Sequence, residues 1–120
     1  MDHKDLDVWK KSMELVEHTY KITSSFPASE IYGLTNQLRR ASVSVVSNIA
    51  EGSGRKSDKE LLYFLNVSLG SLAELETQIE IAYRLSFISD VEDTFQLVTE
   101  TRKLIIGFRN YINKRQNTDD

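Results

Sequence analysis

The chain has 120 residues, of which 40% are hydrophobic and 28% charged, with no Cys, one Pro, five Gly and a formal net charge of −3. This length predicts one domain over residues 1–120, and the lack of Cys excludes disulfide frameworks, Cys-based zinc sites and thiol nucleophiles. No apolar stretch is long enough to span a membrane or to form a signal peptide, so we expect a cytoplasmic protein without a membrane partner. The acidic balance argues mildly against nucleic-acid binding, because such domains are usually basic.

The first segment has hydrophobic residues three and four positions apart, the pattern of a helix with one apolar face. The repeat consists of Leu6, Trp9, Met13, Val16 and Tyr20. A proline at position 27 follows, and the residue before a proline is disfavoured in the α region. The segment therefore predicts a helix over about 5–25.

The second segment has the same spacing and predicts a helix over about 34–51. Its repeat consists of Leu34, Leu38, Ala41, Val45 and Asn48. We expect Gly52 to end the helix as a left-handed C-cap. Residues 42–45 alternate Ser and Val, as a strand would, but no other segment alternates to pair with them. The helix is therefore the favoured interpretation.

Two capping-box patterns mark the starts of the remaining helices. Ser57 is followed three positions later by Glu60, and Ser89 by Glu92. They predict helices over about 57–86 and 90–116. The first carries an apolar stripe of Leu61, Leu65, Ser68, Leu72, Leu75, Ile79, Ala82 and Ser86, and the second one of Phe95, Val98, Arg102, Ile105 and Ile112.

Four such helices with short connections predict an all-α protein, an antiparallel up-down-up-down four-helix bundle. The third helix would be about 45 Å long at 1.5 Å per residue. A compact sphere of this chain length would be only about 35 Å across. The bundle must therefore be elongated.

In this topology the charges separate between the two ends of the bundle. One end receives the basic residues Arg55, Lys56, Lys59, Arg109, Lys114 and Arg115, and the other the acidic residues Glu30, Asp90, Glu92 and Asp93. One interpretation is ordinary compensation of helix dipoles. The other is a phosphate-backbone site at the basic end, to which the Gly-Ser-Gly of residues 52–54 would add backbone N–H groups. Arg39 and Arg40 lie on helix 2 about 24 Å from Arg55, which is too far for a single site. They would instead contact an extended polymer or a neighbouring subunit.

Catalytic and metal-binding patterns are absent from the sequence. Neither of the two histidines, His3 and His18, follows a Glu by three positions, as a di-iron site of a helix bundle requires. Glu14 and His18 are one turn apart, but a single carboxylate–imidazole pair gives too few ligands for a metal. The Gly-Ser-Gly segment lacks the Lys-Ser/Thr ending of a P-loop. We therefore expect a protein that is not an enzyme and has no cofactor and no metal site.

Two features suggest assembly with other chains. Seven of the nine residues from 61 to 69 are apolar, so the apolar surface of this segment is wider than a single stripe. Leu62, Tyr63 and Phe64 are therefore candidates for an interface between copies. The alternative is that the bundle itself buries them. Asn48 lies on the apolar stripe of helix 2. A polar residue there either fixes the register between chains or is satisfied locally near the helix end.

Three motifs in the middle of the chain carry a family resemblance. They are Leu34-Thr35-x-Gln37-Leu38-Arg39-Arg40-Ala41-x-x-Ser44, Asn48-Ile49-Ala50-Glu51-Gly52-x-Gly54-Arg55-x-Ser57, and Glu60-x-x-x-Phe64-Leu65 with Gly70-Ser71-x-x-Glu74-Leu75-Glu76. Their order and spacing resemble those of the bacterial four-helix bundle family of 23S rRNA intervening-sequence, or S23-type, proteins.

The resemblance implies more than the residues alone. Family members form barrel-like homopentamers with basic surfaces proposed to bind nucleic acid, and relatives are accessory subunits of diversity-generating retroelements. The polar positions that the resemblance carries over are Arg39, Arg40, Asn48, Glu51 and Arg55. We therefore expect a homo-oligomer, by resemblance a pentamer, that presents basic clusters to RNA, DNA or an enzyme such as a reverse transcriptase. The alternative is a protein-only scaffold whose basic end forms salt bridges between subunits.

Overall fold

The computed structural model describes residues 2–118 and the side chains of residues 2–115. Four α-helices form it: α1 Asp7–Thr23, α2 Leu34–Ser53, α3 Asp58–Arg84 and α4 Glu92–Thr118. Short 3₁₀ helices lie at His3–Asp5 and Ala28–Glu30, and the part of the chain described contains no strand. The alternating residues 42–45 are helical, as predicted. The molecule measures 53 × 24 × 21 Å, so the predicted elongation is confirmed.

Side-chain contacts between the helices pair residues in reverse order along the chain. Helix α2 packs against α1 and α3, and α4 packs against α3 and α1. The contacts that show the order are Arg115 with Asp58 and Arg102 with Glu76 between α3 and α4, Lys11 with Glu100 and His18 with Thr94 between α1 and α4, and Ser68 with Val45 and Ser71 with Ser44 between α2 and α3. In each of these three pairs, later residues of one helix meet earlier residues of the other. This arrangement is compatible with a four-helix bundle.

The buried face of α1 lies one residue before the predicted stripe. Its fully buried residues are Val8, Ser12, Leu15, Thr19 and Thr23, whereas Tyr20 is 44% exposed and the other members of the predicted stripe are half-buried. Each hydroxyl of this face donates a hydrogen bond of 2.7 Å to the carbonyl four residues earlier. A hydroxyl satisfied in this way can be buried without an unpaired donor.

Gly52 does not cap α2, contrary to the prediction. The helix continues to Ser53, and no glycine among the described residues has a positive φ angle. Gly52 is buried where α2 crosses α3, and a Cβ there would lie 2.9 Å from the Cβ of Phe64 and 3.0 Å from a methyl carbon of Leu61. The glycine is therefore needed for the close approach of the two helices rather than for a turn.

The predicted stripes of α2 and α3 are otherwise buried, except for the last residue of each stripe. Asn48 is half-buried, and Ile49 takes the core position beside it. Helix α3 ends at Arg84, two residues before the predicted end, and Ser86 is exposed with a φ angle of 65°. The N–H of Ser86 donates to the carbonyl of Tyr83, and that of Phe87 to the carbonyl of Ala82, which together form a Schellman motif.

Only one of the two predicted capping serines caps its helix. The Ser57 hydroxyl oxygen accepts from the Glu60 N–H at 3.2 Å, as predicted, and the Ser57 hydroxyl donates to the Glu60 carboxylate. Helix α4, however, begins at Glu92, whose N–H donates to the carboxylate of Asp90 rather than to Ser89. On α4, Val98, Ile105 and Ile112 are buried as predicted. No helix within residues 2–118 is long and apolar enough to cross a membrane.

Replacing Gly52 with Ala should destabilise the protein by about 1–2 kcal/mol. The added methyl group must displace the Cβ of Phe64, which cannot move without its backbone, and this overpacking outweighs the better helix propensity of Ala. Urea unfolding followed by circular dichroism measures the change. Gly107→Ala is the matched control, because its Cβ would meet nothing within 4 Å and should stabilise α4 by about 0.5–1 kcal/mol. Equal effects of the two substitutions would contradict the proposed role of Gly52.

Replacing Ser86 with Gly should raise the free energy of unfolding by about 0.5–1 kcal/mol. A left-handed backbone is strained for Ser and unstrained for Gly. Ser89→Gly, in the same exposed connection but without a positive φ angle, should give no gain. The urea midpoints of the two variants check this, and a gain for Ser89→Gly as large as that for Ser86→Gly would refute it.

Candidate nucleic-acid interface

The basic end is formed by the α2–α3 connection and the last turns of α4. Arg109 donates a hydrogen bond of 3.2 Å to Asn66, and the guanidinium carbon of Arg55 lies 4.9 Å from the ring centre of Phe64. Since Asn66 and Phe64 are two residues apart on α3, both arginines lie at the same end of the bundle. They lie on different sides of α3, because two residues of a helix differ by about 200° in direction.

Two of the predicted phosphate-binding arginines are occupied by carboxylates. Arg55 forms an ion pair with Glu51, one turn earlier. Arg115 donates two hydrogen bonds, of 2.7 and 3.2 Å, to Asp58 at the start of α3. The Asp58 carboxylate raises the pKa of the Arg115 guanidinium above its ordinary value. These contacts join the ends of helices and leave less positive charge for an external anion.

The lysines of the same end have no carboxylate partner among the side chains that the structure describes. Lys56, Lys59 and Lys114 are exposed, and none of them forms an ion pair with any described side chain. Lys59 lines an open groove of about 560 Å³ together with Arg55, Glu60, Tyr63 and Phe64. A flexible ammonium group without a partner can pair with a phosphate without first breaking another contact.

Arg39 and Arg40 lie away from this end, on the first half of α2. Arg39 is half-buried, and its Nε donates to the hydroxyl of Thr23 at 2.9 Å while its guanidinium carbon lies 4.6 Å from the ring centre of Tyr20. Arg40 is exposed and forms no ion pair with a described residue. About 24 Å of helix separates this pair from Arg55, so the basic residues form two sites.

The residues predicted to serve an interface or register differ in exposure. Tyr63 is 62% exposed, whereas Leu62 and Phe64 are half-buried and Leu62 packs against the core. The amide of Asn48 donates to the carbonyl and hydroxyl oxygens of Ser44, so it is satisfied within α2. Glu51 is exposed and pairs with Arg55, as described above. Of these residues, Tyr63 offers the most surface to another chain.

The acidic end holds carboxylates that mostly serve the helix starts. Glu30 accepts from the N–H of Leu34, and Asp90 from that of Glu92. Nearby, His18 Nε2 and the Thr94 hydroxyl are hydrogen-bonded at 2.7 Å. Burial lowers the pKa of His18 below its ordinary value, and Lys21 acts in the same direction. Glu92 and Asp93 are exposed in the first turn of α4, where a negative charge stabilises the helix dipole.

The carboxylates and imidazoles of the described residues are dispersed over the bundle. No three His, Asp or Glu side chains among them are grouped closely enough to hold an ion. Glu14 pairs with Lys11 rather than with His18.

A groove beside Arg39 and Arg40 contains residues that the sequence did not indicate as functional. It has a volume of about 790 Å³ and is lined by Tyr20, Ile31 and Tyr32, among others. Tyr20 had been assigned to the apolar stripe of helix 1. The one feature of the sequence that could have indicated this groove is the pair Ile31 and Tyr32, because two adjacent apolar residues are unusual in a connection between helices.

Comparisons with known proteins agree on the fold and family. The structure is similar to the crystal structure of a protein of unknown function from the S23 ribosomal protein family of Bacteroides thetaiotaomicron, with a TM-score of 0.80 and 23% sequence identity over 92% of this chain and 99% of that one. No functionally curated protein matches the chain. Residues 4–107 match the family model described as 23S rRNA-intervening sequence protein. Because this match covers most of the sequence, the chain belongs to the 23S rRNA-intervening sequence protein family.

Proposed function

We propose that the protein is a non-enzymatic homo-oligomer of antiparallel up-down-up-down bundles that presents basic clusters to RNA. The observation that carries this proposal is the group of exposed lysines, Lys56, Lys59 and Lys114, which share one end and have no carboxylate partner among the described residues. The family description refers to an rRNA element, which supports RNA as the ligand. DNA, or an enzyme such as a reverse transcriptase carrying its nucleic acid, would meet the same charges.

Phosphate contacts by lysine need no fixed geometry and release condensed counterions. Within one subunit the lysines of the basic end are few, and the net charge of the chain is −3. Assembly of several copies with these ends side by side would multiply the local charge. The oligomer is therefore part of the mechanism, and the resemblance suggests a pentamer.

The surface around Tyr63 supports assembly. The rings of Tyr63 and Phe64 form an edge-to-face pair with 5.1 Å between ring centres, and the guanidinium of Arg55 lies over the Phe64 ring. A tyrosine that is 62% exposed next to an apolar groove is typical of the aromatic anchors of protein interfaces.

A protein-only scaffold is the second candidate, and the ion pairs favour it. Arg55 and Arg115 are both engaged by carboxylates, so part of the basic end already serves the bundle itself. In this alternative, the remaining lysines would pair with acidic residues of a neighbouring subunit.

The oligomer predicts a mass in solution of about five times the 13.8 kDa of the chain. Light scattering at micromolar concentration measures it. Tyr63→Glu should lower the mass, because it places a charge in the proposed contact, whereas Tyr83→Glu, at an exposed tyrosine near the other end of α3, should not. A wild-type mass of one chain would reject the oligomer, and another multiple would reject the pentamer.

RNA binding through the lysines predicts a strong dependence on salt. The logarithm of the affinity for a structured RNA should fall linearly with the logarithm of the salt concentration, and the double variant Lys56→Gln, Lys59→Gln should reduce this slope by about two for each subunit in contact. Fluorescence anisotropy with a labelled RNA hairpin measures both slopes. Lys21→Gln with Lys103→Gln is the control, because both lysines are exposed, Lys21 lies in the last turn of α1 and Lys103 lies near the middle of α4. An affinity that does not change with salt, or no binding at low salt, would leave the scaffold as the function.

A further inference from the structure

The groove beside α1 and α2 has the composition of a ligand site. Its volume of about 790 Å³ lies within the usual range of 300–1,000 Å³ for such sites. Aromatic, guanidinium and amide side chains line it, including Tyr20, Tyr32, Asn36, Arg39 and Arg40, and none of its lining residues is acidic. An anionic occupant would therefore meet positive charge without a competing carboxylate.

Arg39 forms a fixed, flat wall of this groove. The ring of Tyr20 and the hydroxyl of Thr23 hold its guanidinium from two sides. Both partners are neutral, so they orient the group without removing its charge. Guanidinium planes held in this way are surfaces on which unpaired bases stack.

Tyr32 supplies an aromatic surface without a partner. Its side chain is 94% exposed in the connection before α2, and its ring stacks on no other described ring. Ile31 beside it is 49% exposed, which extends the apolar surface. Stacking of a base on an exposed aromatic ring depends little on sequence, because every base has a π-face.

Arg40 connects this groove with a smaller one of about 420 Å³ between α2 and α3. The smaller groove is also lined by Gln78, whose side-chain oxygen is buried and has no hydrogen-bond partner among the described residues. Glu74 lines the smaller groove as well, so a phosphate at Arg40 is favoured on the side of the larger groove, which has no acidic lining residue.

We propose that this groove binds unpaired nucleotides of a single-stranded RNA segment, with bases stacked on Tyr32 and Arg39 and a backbone phosphate at Arg40. The ligand class rests on the proposed function, whereas the site is separate from the basic end. Each unpaired nucleotide provides an anion and a flat π-face together, which is the combination that the groove complements. A peptide with acidic side chains would satisfy the charges without using both flat surfaces.

The test uses the full chain and two labelled probes, a ten-nucleotide oligouridine and a ten-base-pair RNA duplex. Tyr32→Ala should weaken oligouridine binding by about 5- to 150-fold, the value of one stacked base, and leave the salt slope unchanged. Tyr32→Phe should bind like the wild type, and so should Tyr83→Ala, the control at another exposed tyrosine. Arg40→Gln should reduce the salt slope by about one. Binding of the duplex should not respond to Tyr32→Ala.

The outcomes separate this inference from the proposed function. If the double lysine variant weakens RNA binding but Tyr32→Ala does not, the groove is not a nucleotide site and the basic end remains one. If the wild type binds neither probe at low salt, both proposals fail. If Tyr32→Ala lowers the mass of the assembly in light scattering, the groove is a contact between copies and the inference is overturned. Circular dichroism of each variant checks that the fold is retained.

Discussion

The close approach of α2 and α3 is the constraint on which the positions of the other groups depend. Gly52 leaves no room for a side chain against Phe64 and Leu61. Further along the same pair, the hydroxyl of Ser68 donates to the carbonyl of Val45 at 2.7 Å, a contact between the helices that only a small residue permits. Tight packing at these two points fixes the position of α3 along the axis of α2. A shift of α3 by one turn would move it 5.4 Å and separate each of these partners.

The same contact positions both candidate surfaces. It places the ring of Phe64 beside the C-terminal end of α2, where Arg55 covers it and Tyr63 is left exposed. At the other end it brings Gln78 of α3 next to Arg40 of α2 and so forms the smaller groove. Helix packing therefore positions Phe64, Gln78 and Arg40, whereas Tyr32 and Lys56 lie in the connections between helices.

Sequence periodicity predicted the elements better than it predicted which residues are buried. The four helices are present, but α1 buries Ser12 and Thr19 on a face that hydropathy alone assigns to the neighbouring residues. The reason is that a hydroxyl bonded to the carbonyl four residues earlier no longer needs water. The sequence predicts a left-handed cap at Gly52 and a position on the apolar stripe for Ser86. In the structure the close approach of α3 requires the glycine within α2, and Ser86 adopts the left-handed conformation after α3.

The sequence predicted which basic residues lie at one end of the bundle, but it did not predict which of them pair with a carboxylate. Which cation has a partner depends on rotamers and on the angle between helices, and no repeat in the sequence records the pairing of Arg115 with Asp58, 57 residues away. The groove at Tyr32 was missed because its members come from α1, the connection and α2. Each of them alone resembles an ordinary core or loop residue.

The distance between the two basic surfaces determines how they would act on one ligand. About 24 Å of helix separates Arg39 from Arg55, which is more than two Debye lengths at physiological salt, about 8 Å each. Neither surface therefore raises the electrostatic attraction of the other. A single RNA that occupied both would gain through linkage instead, since the first contact raises the effective concentration of the rest of the strand at the second. That gain requires unpaired nucleotides next to a charged backbone segment, so a protein of this shape would select RNA by the arrangement of paired and unpaired regions rather than by total charge.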